Sequence, residues 1–265
     1  CAPPPANAGR YLQVEAAVRD GGAEFSARLL PVGGIHREQP YRRLLPLEQA
    51  AQRWLDEPVG RLEQAIPPEE KLRAALHGSA VAALFNQVQL SHTGADISCP
   101  SLGNEPAGLA ASVTMRAITA AYLFSNTLVV LEITEEILRA LLERCASYFT
   151  LENGTPRVSD AFLAPKVEHY NYDFFAGISY QFDLRQPVGR RLTRLSRLDG
   201  TPLGPGPLRL CTSNYRATGT GGYDALRTCP VLWRGSVEMP ELVAEYVRAN
   251  SPVSLPCNGR MEAIW

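Results

Sequence analysis

The sequence predicts an α+β fold, with a mixed β-sheet flanked by helices. Segments of strand and helix periodicity alternate from Pro68 onward, which indicates both element types in one domain. The strands follow hairpin-like neighbours in some places and helices in others, so both antiparallel and parallel pairs are expected. The chain has 265 residues, of which 45% are hydrophobic and 20% charged, as in ordinary folded proteins. This length allows one large domain or two small ones.

The N-terminal part differs from the rest of the chain. Residues 11–18 and 23–30 are strand-like runs on either side of Gly21 and Gly22, a pattern that predicts a β-hairpin. A hairpin alone is marginally stable in water, so it needs a sheet or a partner to pack on. Pro46 then opens a predicted helix through Trp54, which we interpret as a connecting helix.

Helix caps and buried runs define the next elements. Ser79 is placed to cap a helix with one apolar face, and Gly94 is placed to end it. Residues 127–133 form a nearly continuous apolar run, which indicates a strand buried on both faces. Thr134 is placed to cap a further helix whose inward positions are Ile137, Leu138, Leu141, Leu142 and Cys145.

The remaining elements follow from periodicity. Apolar and polar residues alternate strictly over 178–184, which predicts a strand with one solvated face. Residues 192–198 and 208–212 indicate further strands, and Pro240 begins the last predicted helix. The basic stripe 189–197 is interleaved with leucines, so we interpret it as the solvated face of a strand.

Composition excludes several classes of function. The 26 basic and 27 acidic residues leave a formal charge of −1, which argues against binding a nucleic-acid polymer. No apolar run is long enough to span a membrane. The first residues do not form a signal peptide, so Cys1 is either the lipidated cysteine of a mature lipoprotein or the point where a longer chain was cut.

The spacing of histidines and cysteines argues against a metal centre or a catalytic thiol in this chain. No metal-binding motif joins the four histidines, so no intrinsic metal centre or catalytic residue is predicted among His36, His77, His92 and His169. The six cysteines include no C-x-x-C pair, and whether any two form a disulfide stays open. A weaker alternative pairs Cys99 or Cys211 with His92 or His169 as a thiol nucleophile and base.

Two aromatic segments are the best candidates for a ligand site. Residues 169–175 and 213–217 are polar and aromatic, and the second runs into a glycine-rich segment, 219–223. Tyr170 and Tyr215 could stack on both faces of a flat heterocycle, with Asn171 bonding its edge. The alternative is packing of half-buried rings at the sheet end. The glycines do not match a dinucleotide motif and favour a tight turn over close ligand contact.

Several motifs, in a fixed order, resemble one known family. They are Leu90–Ile97, Val113–Arg116 with Tyr122–Leu128, Leu131–Thr134 with Leu142–Tyr148, Tyr170–Asp173 with Gly177–Tyr180, and Asn214–Ala217 with Gly219–Tyr223. This series is similar to the C-terminal domain of the bacterial 5′-nucleotidase / 2′,3′-cyclic-nucleotide 2′-phosphodiesterase family. The resemblance extends over residues 58–265.

The resemblance implies a substrate-binding role. In this family two aromatic rings hold the nucleobase, which here would be Tyr170 and Tyr215, with Asn171 beside the base. Gly221 and Gly222 belong to the second ligand loop. Some relatives have arginines in the loop after the first motif; here Asn104 is the candidate for a phosphate contact. The family's divalent metal pair belongs to an N-terminal metallophosphatase domain.

The resemblance also predicts the domain organisation. Residues 1–45 would be the end of the metallophosphatase domain, 46–57 a linker helix and 58–265 the substrate-binding domain. The chain alone is expected to bind nucleosides or nucleotides, to contain no cofactor and to hydrolyse nothing, with its catalytic partner in cis. We expect an extracytoplasmic nucleotidase or cyclic phosphodiesterase. The alternative is a stand-alone nucleoside-binding or surface-interaction module.

Overall fold

The computed structural model describes residues 9–19, 21–31, 38–255 and 259–265, with only the backbone of 38–41. The strands are β1 (Arg10–Arg19), β2 (Gly22–Pro31), β3 (Pro58–Arg61), β4 (Ile97–Ser98), β5 (Ser112–Thr114), β6 (Thr127–Ile133), β7 (Phe149–Glu152), β8 (Thr155–Val158), β9 (Ile178–Asp183), β10 (Leu192–Arg197), β11 (Leu208–Ser213), β12 (Val231–Glu238) and β13 (Arg260–Ile264). The α-helices are α1 (Glu38–Asp56), α2 (Lys71–His77), α3 (Ala80–Thr93), α4 (Met115–Ala121), α5 (Glu135–Ala146), α6 (Asn214–Ala217) and α7 (Met239–Ala249). Short 3₁₀ helices occur at Asp160–Phe162, His169–Asn171 and Asp224–Thr228.

The chain divides into two compact units, Cys1–Gln52 and Arg53–Trp265. In the first unit, β1 and β2 form the predicted antiparallel hairpin, with Arg19 opposite Gly22 at the turn. Gly21 has a φ of 110°, a backbone conformation that favours glycine in this turn. The described hairpin side chains are largely exposed, including Val18 and Phe25.

Helix α1 begins earlier than the sequence predicted. The prediction started the helix at Pro46, whereas α1 starts at Glu38 and contains Pro46 in its interior. Proline lacks the N–H that would bond one turn back, so it normally stays in the first turn. Arginine and leucine, both good helix formers, precede it at 42–45 and allow the helix to continue through this missing bond. The position of the linker itself stays a prediction.

The second unit confirms the α+β class and the mixed strand pairing. A four-stranded sheet has the order β12-β6-β11-β4, in which β11 and β4 are parallel and the other pairs antiparallel. A three-stranded sheet has the order β10-β9-β13, with β13 parallel to β9. Two-stranded sheets form from β3 with β5 and from β7 with β8. The strands therefore form several small sheets rather than a single one.

Local signals placed the main helices and the central strand correctly. The Ser79 hydroxyl accepts from the Ala82 N–H of α3, and Gly94 ends α3 with a φ of 60°. Thr134 caps α5 in the same way. In β6, the residues Leu128, Val129, Val130 and Leu131 are all buried, as predicted for a strand covered on both faces.

The basic stripe is solvated except at one residue, where the prediction is wrong. Arg190, Arg194 and Arg197 are exposed, but Arg191 is buried. Its Nη1 atom donates to the backbone oxygens of Ala146, at 2.8 Å, and Phe149, at 2.6 Å. These carbonyls lie at and just beyond the C-terminal end of α5, where helix carbonyls lack intrahelical partners and a cation is favourable.

Across the part of the chain that the structure describes, no helix combines the length and apolar character needed to cross a membrane. The packed core of the second unit is one cluster of buried apolar side chains, from Leu62 to Val253. Strands β6 and β11 run through this cluster, and the segments that follow β11 and precede β9 emerge next to it.

Candidate functional site

Tyr170 is presented by a short 3₁₀ helix, His169–Asn171, just before strand β9. Its ring is half-buried and meets the edge of Phe124 at a centroid distance of 6.3 Å. The Tyr170 hydroxyl donates to Oε1 of Glu168 at 3.0 Å, and Lys166 Nζ lies 5.4 Å from the ring centroid. Burial raises the pKa of Tyr170, so its hydroxyl stays protonated at neutral pH.

Tyr215 is presented by α6, which follows strand β11 directly. The Ser213 hydroxyl caps this short helix by accepting from the Arg216 N–H at 3.0 Å. The Asn214 side-chain oxygen accepts from the Thr127 N–H at 3.2 Å and fixes α6 against the start of β6. Tyr215 itself is 43% exposed, more than a packing role requires.

A buried ion pair ties the two tyrosine segments together. The guanidinium of Arg216 donates to both carboxylate oxygens of Asp173, at 2.7 and 2.8 Å, and the two side chains are 2% and 0% exposed. Burial alone would lower the pKa of Arg216, but Asp173 raises it above its ordinary value, so the guanidinium stays charged. Burial raises the pKa of Asp173, and Arg216 opposes that rise.

The same guanidinium holds three further groups. Arg216 donates to the backbone oxygens of Tyr170, at 2.8 Å, and Thr220, at 2.6 Å, and to Asn171 Oδ1 at 3.4 Å. It also stacks on the ring of Tyr223 at 4.2 Å. One side chain therefore fixes the Tyr170 turn, the Tyr215 helix and the glycine-rich segment relative to each other.

Asn171 and the glycines lie in this packed layer. Asn171 is 5% exposed, and its Nδ2 atom donates to Glu168 Oε2 at 2.9 Å. Gly221 has a φ of 80°, and a Cβ there would overlap the side chains of Arg216 and Asn171. Gly222 has a φ of 87°, and a Cβ there would overlap Arg144. These contacts join the glycine-rich segment to Asn171, Arg216 and Arg144. The predicted ligand contacts of Asn171, Gly221 and Gly222 stay predictions.

Asn104 lies in a different environment. Its Nδ2 atom donates to the Val167 backbone oxygen at 2.9 Å, so its loop contacts the segment that leads to Tyr170. With Lys71 and His169 it lines a cavity of about 390 Å³. Its Oδ1 atom is buried and has no hydrogen-bond partner among the described residues. The predicted phosphate contact of Asn104 stays a prediction.

Sequence reasoning had not assigned roles to Asp173, Arg216, Arg144 or Glu168. The sequence did contain a signal for Asp173 and Arg216. One tyrosine motif carries the acidic Asp173 and the other carries the basic Arg216, so the two residues could pair. Arg144 gave no local signal. Its Nε atom donates to the Gly221 backbone oxygen at 2.9 Å across a large sequence separation, and only the folded chain reveals that contact.

Comparison with known proteins identifies the chain. The profile of the family described as "5′-nucleotidase, C-terminal domain" matches residues 58–228, more than half of the sequence. The chain belongs to the 5′-nucleotidase C-terminal domain family. The matched range contains both tyrosine motifs and the buried ion pair that joins them.

Two curated relatives are phosphoesterases acting on nucleotides. The chain is 26% identical over 157 residues to the trifunctional nucleotide phosphoesterase protein YfkN of Bacillus subtilis, covering 54% of this chain and 10% of that protein. It is 23% identical over 256 residues to the 2′,3′-cyclic-nucleotide 2′-phosphodiesterase/3′-nucleotidase of Haemophilus influenzae, covering 84% of this chain and 38% of that protein. The chain thus spans less than half the length of either relative.

Solved structures of the family share the fold. A Staphylococcus aureus structure assigned as a 5′-nucleotidase superposes with a TM-score of 0.80 at 27% identity, covering 94% of this chain and 49% of that one. The 5′-nucleotidase precursor of Thermus thermophilus gives a TM-score of 0.64 at 19% identity, covering 97% of this chain and 50% of that one. Each superposition covers about half of the longer chain.

The described cysteines of this domain do not fit a catalytic thiol. Cys99, Cys145, Cys211 and Cys229 are buried and free. Burial raises the pKa of all four thiols, to about 12 for Cys145 and Cys211, which disfavours the reactive thiolate. The Nδ1 atom of His169 is hydrogen-bonded to the Tyr148 hydroxyl at 2.7 Å. The His92 ring packs on Trp233. His36, Cys1 and Cys257 lie outside the described residues.

Proposed function

We propose that this domain binds the base of a nucleotide between Tyr170 and Tyr215. The observation that carries the proposal is the Arg216–Asp173 pair, which holds both tyrosine segments in one rigid layer. Stacking a base on an aromatic ring contributes roughly 1–3 kcal/mol. Because the two backbone segments are already tied together, less ordering is needed when the base binds, so more of that stacking energy appears as affinity.

The bound base would orient the rest of the nucleotide for hydrolysis elsewhere. We propose that the domain serves a 5′-nucleotidase or 2′,3′-cyclic-nucleotide 2′-phosphodiesterase whose chemistry occurs on an N-terminal metallophosphatase domain in cis. Holding one end of a substrate places the reacting group near its catalyst, which lowers the entropic part of the barrier. The two phosphoesterase relatives support this assignment.

The described residues do not fit a catalytic metal pair. Within residues 9–19, 21–31, 38–255 and 259–265, no three His, Cys, Asp or Glu side chains come together in a way that could hold a metal ion. We propose that the divalent metal pair belongs to the partner domain, and that the role of the described residues is to bind and orient the substrate.

The proposal extends to the cellular location of the enzyme and to further ligand contacts. We propose an extracytoplasmic, bacterial enzyme, which agrees with the bacterial sources of the relatives and with the precursor form of the Thermus thermophilus protein. Asn104 would contact a phosphate, and Asn171, Gly221 and Gly222 would support the base. Their positions next to the two tyrosine segments favour these assignments.

Substitution of each tyrosine tests base stacking. We expect Tyr170→Ala and Tyr215→Ala each to weaken binding of AMP by roughly 1–3 kcal/mol, because each removes one stacking face. Tyr215→Phe should bind almost normally, since it keeps the ring. Tyr11→Ala, at a tyrosine that is also about half exposed, 48%, is the matched control. The measurement is isothermal titration calorimetry, and unchanged affinity in both alanine variants would contradict the proposal.

A further inference from the structure

Lysine is rare in this chain. Of the 26 basic residues only two are lysines, Lys71 and Lys166, and the others are arginines. A guanidinium keeps its proton at any pH at which a protein is folded, whereas an ammonium can lose its proton and become a nucleophile. Only these two side chains can therefore supply an amine for covalent chemistry.

Lys71 lies in the wall of a cavity of about 390 Å³, at the first residue of α2. Its Nζ atom donates to the Leu102 backbone oxygen at 3.3 Å and forms no ion pair with any residue that the structure describes. Burial of this unpaired charge lowers the pKa of Lys71 to about 7, and Glu69 opposes the change. About half of the Lys71 side chains are therefore neutral amines at pH 7.

Lys166 is the natural comparison, because its surroundings are the opposite. Its side chain is exposed, and its Nζ atom donates to the Tyr170 hydroxyl at 3.3 Å. That hydrogen bond raises the pKa of Lys166, so the ammonium is almost fully protonated at pH 7. One lysine is thus accessible but protonated, and the other is partly deprotonated inside a cavity.

The size and charge of the cavity limit what can reach Lys71. Its volume lies in the range that holds small molecules in proteins. Three carboxylates line it, from Glu69, Glu70 and Glu105, and together they disfavour an anionic ligand. His169 also lines it, but burial and the Lys71 charge lower the pKa of His169, so it adds little positive charge at pH 7. A small neutral molecule fits these surroundings best.

We propose that Lys71 is a site of covalent reaction with small neutral aldehydes, which enter this cavity and form an imine with the side-chain nitrogen. The lone pair of Nζ attacks the carbonyl carbon, and the carbonyl oxygen takes up a proton. The carbinolamine then loses that oxygen as water, which leaves a C=N bond between the ligand and Lys71. No oxidant or reductant is consumed. This inference goes beyond nucleotide binding and does not depend on it.

The test traps the imine in the full 265-residue chain. Glycolaldehyde and sodium cyanoborohydride are added at pH 7, so that the C=N bond is reduced to a stable secondary amine, and peptide mass spectrometry gives the rate at each lysine. We expect Lys71 to react at least about tenfold faster than Lys166, because a far larger fraction of it is neutral. An equal or slower rate at Lys71 would overturn the inference.

The pH dependence of the two rates separates protonation from simple access. Between pH 7 and pH 9.5 the neutral fraction of Lys71 only doubles, roughly, whereas that of Lys166 rises by more than about a hundredfold. The ratio of the Lys71 rate to the Lys166 rate should therefore fall about tenfold or more over this range. A ratio that stays constant would overturn the inference, because it would show that the two amines titrate alike.

A charged aldehyde tests the preference for a neutral ligand. Glyoxylate is similar in size to glycolaldehyde but carries a carboxylate, so it should give a lower ratio of the Lys71 rate to the Lys166 rate. Glu105→Gln removes an exposed carboxylate of the cavity wall and should lessen this difference. Glu63→Gln, at an exposed glutamate outside the wall, is the matched control and should leave it unchanged. Equal ratios for the two aldehydes would overturn the assignment of a neutral ligand.

Discussion

At the scale of single residues, the buried Arg216–Asp173 pair is the unusual feature of the domain. Taking two charges out of water costs several kcal/mol, and close hydrogen-bonded contact offsets that cost only when the remaining donors are satisfied. Arg216 meets this condition, with bonds to Asp173, Asn171 and two backbone oxygens. The main effect of the pair is therefore to hold two distant segments in a fixed relative position, and its contribution to net stability is small.

Breaking the pair from one side should be costly. We expect Arg216→Met to lower the free energy of unfolding by about 3–5 kcal/mol, because Asp173 would be left charged and buried without its partner. The double variant Arg216→Met/Asp173→Leu should recover much of that loss but not the AMP affinity. The exposed pair Arg139–Glu135 is the control, and Arg139→Met should cost less than about 1 kcal/mol. Urea denaturation measures the free energy of unfolding of each variant. Equal losses of stability in Arg216→Met and Arg139→Met would contradict a special cost for the buried pair.

Lys71 gives a second prediction at the residue scale. Burial lowers the pKa of this ammonium to about 7, with Glu69 opposing the change. Its pKa is therefore lower in the folded than in the unfolded chain, whose lysines titrate near 10.4. Between these values the unfolded state binds more protons, so the contribution of Lys71 to stability rises with pH from about 7 to about 10.

The test for Lys71 compares two pH profiles of stability. Lys71→Met removes the titrating group, so the variant should be more stable than the parent near pH 6, with the difference shrinking toward pH 10. Because solvent screens the Lys71 ammonium, the stability difference between the two proteins should change by only roughly 1–3 kcal/mol over this pH range. Chemical denaturation at several pH values measures it. A difference between the two proteins that does not change with pH would show that Lys71 keeps an ordinary pKa.

At the scale of elements, the glycine-rich segment between α6 and the following 3₁₀ helix limits the site. Gly219, Gly221 and Gly222 all have positive φ angles, and side chains there would overlap Arg227, Arg216 with Asn171, and Arg144 respectively. The close approach of this backbone to Arg216 requires glycine. These φ angles agree with the tight turn that the sequence favoured, while ligand contact by Gly221 and Gly222 stays a prediction.

Alanine at Gly221 should disturb both fold and site. We expect Gly221→Ala to destabilise the domain by at least about 1–2 kcal/mol, because a Cβ is strained at a φ of 80° and overlaps two side chains. AMP binding should weaken as well, since Arg216 would shift. Gly206→Ala is the matched control, because a Cβ there has open space. Thermal denaturation measures the stability of both variants. Similar melting temperatures for Gly221→Ala and Gly206→Ala would argue against close packing around Gly221.

Elements with strong local signals were predictable, and elements with weak ones were not. The caps Ser79 and Thr134 and the apolar run of β6 act within a few residues, so the sequence located α3, α5 and β6. The short helices α2 and α4 and the edge strand β12 were missed. Strand β12 has mostly exposed side chains and an irregular register against β6, so neither periodicity nor burial identifies it.

At the scale of the whole molecule, the core and the candidate site belong to one compact unit. The buried apolar residues of the described chain run from Leu62 to Val253, inside the unit Arg53–Trp265. The unit Cys1–Gln52 contributes none of them. Stability of the second unit therefore rests on its own core.

A chain consisting of residues 53–265 should fold by itself. We expect cooperative unfolding and an AMP affinity equal to that of the full chain, because the core and both tyrosines are retained. Circular dichroism with urea and calorimetry measure the two properties. A shortened chain that is soluble but molten, or that no longer binds AMP, would show that residues 1–52 contribute to the second unit.

The sequence by itself determined the α+β class, the order of the main elements, and the two motifs that carry Tyr170 and Tyr215. These follow from periodicity, caps and motif order, which are local properties of the chain. Only the tertiary structure decided that Arg216 joins both motifs through Asp173, and that Arg144 and Glu168 support them. Arg216 and Asp173 lie 43 positions apart, and no local pattern specifies which distant polar groups will satisfy a buried charge.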